Sequence, residues 1–181
     1  MSIEPDAKDW TWVMERPCEA CGFDPGQVAP EQLPDLLHDN TRGWYDVLVN
    51  ADYAVRPAPH VWSRLEYACH VRDVHRIFAE RVRLMLDQDD PEFENWDQDA
   101  TAIAEDYGLQ EPGPVATELV ENAAVAAAVY ASVTGDQWQR SGRRSNGSVF
   151  TVASIGRYQL HDAVHHLWDV SITPAPSGAE H

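Results

Sequence analysis

The stretch Val61-Trp62-Ser63-Arg64-Leu65-Glu66-Tyr67-Ala68-Cys69-His70-Val71-Arg72-Asp73 decides the fold. Ser63 precedes Glu66 by three residues, the spacing at which a hydroxyl caps a helical N–H and a carboxylate reaches back to the cap. Val61 and Trp62 stand just outside that start. Leu65, Cys69, Val74, Phe78, Val82 and Met85 then recur at helical period, which predicts a helix from Ser63 to about Leu86. Such a helix spans a small domain at about 1.5 Å per residue.

Working outward, Leu33, Leu36, Leu37, Trp44, Val47, Leu48 and Ala51 predict an earlier helix over Pro30 to Ala54. Arg56-Pro57-Ala58-Pro59 stops it, because proline removes a donor and constrains its predecessor. A third helix starts at Pro112 or Pro114, runs through an alanine-rich stretch to Val133 and stops before Gly135. A Gly, Ser and Arg loop over Ser141 to Ser148 leads to Thr151, which caps a fourth helix ending near Val170, before Pro174 and Pro176. Four amphipathic helices without alternating strand patterns predict an all-α four-helix bundle over residues 30–172. Residues 1–29 read as an irregular N-terminal arm, and 173–181 as a flexible tail. The long connector over 87–110 is acidic, with a short helix expected around Asp99 to Tyr107.

Acidic residues number 30 against 13 Lys plus Arg, a formal charge of -17. That charge repels phosphate backbones and anionic lipid, so neither nucleic acid nor membrane is an expected partner. Hydrophobic residues make up 44%, enough for one ordinary core. The longest apolar run, Ala123 to Ala131, falls short of the roughly 20 residues a membrane span needs. The first six residues carry no signal-peptide pattern, so a soluble, cytoplasmic chain is expected.

Three of the eight histidines fall within six residues of the fourth helix, in Leu160-His161-Asp162-Ala163-Val164-His165-His166-Leu167-Trp168-Asp169. His161 and His165 are four apart, about 5–6 Å between Cβ atoms, and share one helical face. Two imidazoles so spaced can share a divalent cation. Asp162 and His166 form a second such pair, rotated by about 100°. His70 faces apolar neighbours on the second helix and is the expected third ligand, whereas His75 lies toward Arg72 and the charged side. Three ligands leave a position open, as in catalytic rather than structural sites. The bland reading is that these are ordinary core and surface histidines.

Cys18 and Cys21 in Pro17-Cys18-Glu19-Ala20-Cys21-Gly22 invite a zinc or redox reading. No second CxxC follows and no βαβ thioredoxin pattern surrounds them, so the motif alone carries neither. Cys69 reads as a small buried hydrophobe. Asp87-Gln88-Asp89-Asp90 lacks the glycine and spaced glutamate of a calcium loop and reads as a solvated charge run.

Together the Val61–Asp73 segment and His161-Asp162-Ala163-Val164-His165-His166-Leu167 make the chain resemble the DinB-like superfamily. That group also contains mycothiol-dependent maleylpyruvate isomerases and bacillithiol S-transferases. The resemblance implies a bundle holding a divalent metal, zinc or nickel, with ligands at His70, His161 and His165. Aligned with the isomerase branch, whose fourth-helix pair is a carboxylate and a histidine followed by an acidic residue, the ligands become Asp162 and His166, with Asp169 after them. Neutral imidazoles suit a late first-row metal, so His161 and His165 are the preferred register. Asp73, Asp162 and Asp169 are expected to orient the rings, and Arg143 and Arg144 to meet a carboxylate of the thiol or substrate. The resemblance further implies transfer or isomerisation with a mycothiol-like thiol, acting on an electrophilic substrate in a homodimer. The competing reading is a non-catalytic metal-binding or homodimeric interaction module. No catalytic residue is assigned by either.

Overall fold

The computed structural model describes residues 9–172, so the tail expected over 173–181 and the first eight residues lie outside the described residues. Five helices follow in order: α1 (Leu33–Leu48), α2 (Arg64–Asp87), α3 (Gln98–Ala104), α4 (Pro112–Ala131) and α5 (Val152–Ile172). The four long ones form the expected bundle. α2 packs between α4 and α5, and α1 touches the same two helices, whereas α1 and α2 meet little. The chain thus crosses a bundle diagonal between α1 and α2, which explains the long 49–63 connection. None of the described helices is long and apolar enough to cross a membrane.

The start of α2 forms as its sequence dictates. Ser63 Oγ accepts from the Glu66 N–H at 3.2 Å, and Glu66 Oε2 accepts from the Ser63 N–H at 2.8 Å. Arg56, from the proline segment, clamps the same buried carboxylate with Nε at 2.9 Å from Oε2. At the start of α5, Thr151 Oγ1 accepts from Ser154 N–H at 3.1 Å, and Ser154 Oγ accepts from Thr151 N–H at 2.9 Å.

Two elements differ from expectation. α1 ends at Leu48 rather than Ala54, because the Asn50 amide donates to the Asp46 carbonyl at 2.6 Å and closes the last turn. The segment read as a loop over 141–148 is a hairpin, β2 (Ser141–Arg144) with β3 (Val149–Thr151), turning at Gly147 with φ +94°. β1 (Glu92–Phe93), from the acidic connector, pairs parallel to β2 with Glu92 opposite Arg143. The hairpin can sit on α2 because Gly142 lacks a Cβ, which would lie 2.7 Å from Met85 Cγ. Phe93 and Phe150 are buried beneath it.

The apolar core divides into two clusters. One gathers Leu33, Leu37, Val74, Phe78, Val82, Met85, Tyr130 and Ile155, the other Trp44, Leu65, Ala68, Val71, Tyr107, Leu119 and Ala163. The boundary falls between Val71 and Val74 on α2, and between Leu160 and Ala163 on α5. His161, Asp162 and, one residue before Val71, His70 sit at this level.

Packing of α5 against Leu33 of α1 and the Tyr130 ring of α4 depends on Gly156. A Cβ there would meet Leu33 Cδ1 at 2.4 Å and the rigid Tyr130 ring at 2.9 Å. Gly156→Ala is therefore expected to lower the unfolding free energy by about 1–3 kcal/mol, read as a lower urea midpoint at unchanged slope. An unchanged midpoint would contradict the packing described.

Candidate functional site

α5 carries two i,i+4 pairs one residue out of step, and the helix turns each toward a different neighbour. His70 of α2, Asp162 and His166 bring one ligand atom each to within 4.8 Å of one another. His70 Nε2 lies 3.1 Å from Asp162 Oδ1, and His166 Nε2 lies 3.6 Å from the same oxygen. His161 and His165 turn instead toward the N-terminal arm, where they meet Cys18 and Cys21 in a second set, also within 4.8 Å. The preferred register, His70 with His161 and His165, chosen because neutral imidazoles suit a late first-row metal, is not the set that the structure brings together. The reason is the rotation of about 100° per residue, which lets only one of the two pairs face α2.

Asp169 behaves as expected of a ring-orienting acceptor: its Oδ2 lies 3.0 Å from His166 Nδ1, leaving Nε2 for the cluster. Asp73 does not. Its carboxylate accepts from Arg72 Nε at 3.2 Å and Nη2 at 3.1 Å, and from the Tyr107 hydroxyl. Arg72 extends that network to Gln110 and Glu118, so Asp73 belongs to a buried structural network. The two arginines also separate. Arg143 is exposed and paired with Asp90, whereas Arg144 borders the cavity above the cluster. Arg144 is held by Asn146 Oδ1 at 3.1 Å and Ser148 Oγ at 3.1 Å, over the Phe150 and Tyr158 rings.

That cavity, about 640 Å³, is walled by Tyr67, Trp10 and Asp9 of the arm, and Asn95 to Asp99 of the connector. Nothing in the sequence singled out Trp96 of the connector as a wall. Trp96 stacks on His70 at 5.2 Å and 5°, held by its indole N–H donating to Thr101 Oγ1 at 2.7 Å. Trp62 covers another side of the same ring at 5.2 Å. The acidic connector thus forms part of the site rather than a mere link.

Burial governs the charges. It pushes the fully buried His70 below the ordinary imidazole value, against the pull of Asp162, whose Oδ1 lies 3.1 Å from His70 Nε2. Burial pushes the Asp162 carboxyl up, but the neighbouring His70 and His166 outweigh it and hold the group down at about 2. His161 falls to about 4 through burial and the adjacent His165. His75, expected toward the charged side, is fully buried between α2 and α5, with Nδ1 3.1 Å from the Gln159 amide. Cys69 is pushed up to about 12 by burial, which fits an inert thiol.

The fold and these sets define a helical bundle whose last helix carries two pairs of side chains able to hold a metal. The model of the DinB superfamily matches residues 35–170, and the chain belongs to that superfamily. Among solved structures it is similar to YfiT from Bacillus subtilis, described as "a probable metal-dependent hydrolase with an unusual four-helix bundle topology". The TM-score is 0.70 at 17% identity, over 86% of this chain and 91% of that one. At that identity the likeness concerns the fold. No curated protein sequence matches significantly.

His75 offers a test of the electrostatics away from both clusters. Its folded pKa, about 4, lies below the ordinary 6.5, so the unfolded chain binds the proton first as pH falls. Its contribution erodes stability progressively from about pH 6.5 down to about 4. Metal-stripped His75→Gln is expected to lose less stability than wild type between pH 7 and 5 in urea titrations. Parallel losses would contradict a neutral buried His75.

Proposed function

We propose that His70, Asp162 and His166 hold a divalent metal, zinc or nickel, and that the chain is a metal-dependent enzyme. Its reaction is transfer or isomerisation of a small polar electrophile with a low-molecular-weight thiol of the mycothiol kind. The observation that carries this reading is the register: Asp162 and His166 gather on His70, and Asp169 follows as the acceptor for His166. That is the carboxylate, histidine and acidic residue order of the isomerase branch that the sequence resembles.

The donor set fits such an ion. Two imidazoles and one carboxylate form a three-ligand site with open positions, the composition found in catalytic zinc and facial-triad centres. The cavity beside them is lined by Asp9, Asp97, Asp99, Asp162 and Asp169, an acidic field that attracts a dication. A bound divalent ion there supplies Lewis acidity and favours the thiolate form of a coordinated thiol.

The chain's own residues do the rest. Asp169 fixes the His166 tautomer, and the Asp162 carboxylate stays ionised throughout the neutral range. Trp62 and Trp96 enclose His70 and keep water from that side of the site. Arg144 presents a fixed guanidinium to the cavity, suited to a carboxylate on thiol or substrate. Hydrolysis at the same residues is the second reading, supported by the fold shared with YfiT.

Elemental analysis and thiol assays test the proposal. His70→Ala, Asp162→Ala and His166→Ala are each expected to lose one metal equivalent, and Asp169→Asn to weaken its binding about 10–100-fold. Loaded wild type is expected to conjugate electrophiles only with thiol present. Turnover without thiol would favour hydrolysis, and metal binding without either reaction a non-catalytic module. Retention of all metal in the three alanine variants would overturn the ligand assignment.

A further inference from the structure

We infer that Cys18, Cys21, His161 and His165 form a second, closed zinc site that staples the N-terminal arm to α5. Two thiols and two imidazoles are the ligand set of structural tetrahedral zinc, and four protein ligands leave no open position. One ligand atom from each residue already lies within 4.8 Å of the others. Cys18 Sγ is 3.6 Å from His165 Nδ1, and the two imidazole rings are 5.1 Å apart between centroids.

The cysteine turn has the backbone that sulfur ligation requires. Cys18 N–H donates to Phe23 O at 2.8 Å, and Gly22 N–H to Cys18 O at 2.9 Å, closing a tight loop around the two thiols. Gly22 sits at φ +76°, a conformation that glycine adopts without strain, immediately after the second cysteine. Both cysteines are free thiols.

His161 supplies an independent sign. The residue is 3% exposed, yet its Nε2 has no hydrogen-bond partner, a state that native interiors rarely leave unexplained. Phe23 packs on the same ring at 5.5 Å, and Trp10 on His161 at 5.8 Å and His165 at 5.0 Å. These aromatic contacts cover one side of the set, while His161 and His165 also line the cavity. Because Asp9 and Trp10 wall the neighbouring cavity, a staple between the arm and α5 fixes one side of that cavity. This site shares no ligand with the one proposed above, which uses the alternate register of α5, although both pairs line the same cavity.

Zinc analysis of the untagged chain, with cobalt substitution, tests it. Cys18→Ser/Cys21→Ser is expected to lose one zinc per chain while His70→Ala/Asp162→Ala keeps that one. Cobalt-loaded His70→Ala/Asp162→Ala is expected to show a thiolate-to-cobalt charge-transfer band, absent from the cysteine variant. Circular dichroism checks that both remain helical. Should the cysteine variant fail to fold, alkylation of the His70→Ala/Asp162→Ala protein decides: zinc is expected to protect two thiols and a chelator to expose them. Zinc content unaffected by the cysteine changes, absence of the band, or thiols unprotected by zinc would each overturn the inference. Loss of metal from the cysteine set alone leaves it standing even if the first site proves empty.

Discussion

A turn of about 100° per residue along α5 governs the polar interior of this protein. Two four-residue pairs, offset by one position, cannot both face α2. Asp162 and His166 turn to His70, and His161 and His165 turn to the arm. Everything else near the site follows from that division. The connector closes over His70 through Trp96, and the arm closes over His161 and His165 through Trp10 and Phe23.

The polar interior sits partly between the two apolar clusters, at His70 and Asp162, and partly inside the first, at His75, Gln159 and Tyr130. Part of it is satisfied internally: Gln159 accepts from the Tyr130 hydroxyl at 2.8 Å and lies 3.1 Å from His75. Part is not. His70 Nδ1, His75 Nε2, His161 Nε2 and Trp62 Nε1 are buried without partners among the described residues. Each such atom costs on the order of 1–3 kcal/mol. Stability is conceded at the level where the candidate ligands gather, as is usual at functional sites.

What the sequence made legible was local. Ser63 and Glu66 announced the start of α2, and Thr151 that of α5, because capping needs only neighbours three residues away. The family was legible for a similar reason, since its motifs are short helical segments. The register on α5 was not. Spacing gives the angle between the two pairs, but only packing against α2 and the arm says which pair faces which partner. The nearness of Cys18 and Cys21 to His161 and His165 was not legible, because the histidines lie on the last helix and a search for a nearby second CxxC could not reach them. Chain direction likewise hid β2 and β3, whose Gly and Arg residues carry no alternating pattern and gain their place only by resting on Met85 and pairing with β1. Asp73 illustrates the converse error: adjacency to His70 along a helix suggested support for its ring, whereas its side chain leaves toward Arg72 and Tyr107.

The central claim is that one helix serves two separate sites through adjacent registers. Anomalous scattering at the zinc edge from crystals of the zinc-loaded chain tests it most directly. The account predicts two peaks, one among His70, Asp162 and His166 and one among Cys18, Cys21, His161 and His165. A single peak shared by His70, His161 and His165, or none at either set, would contradict it.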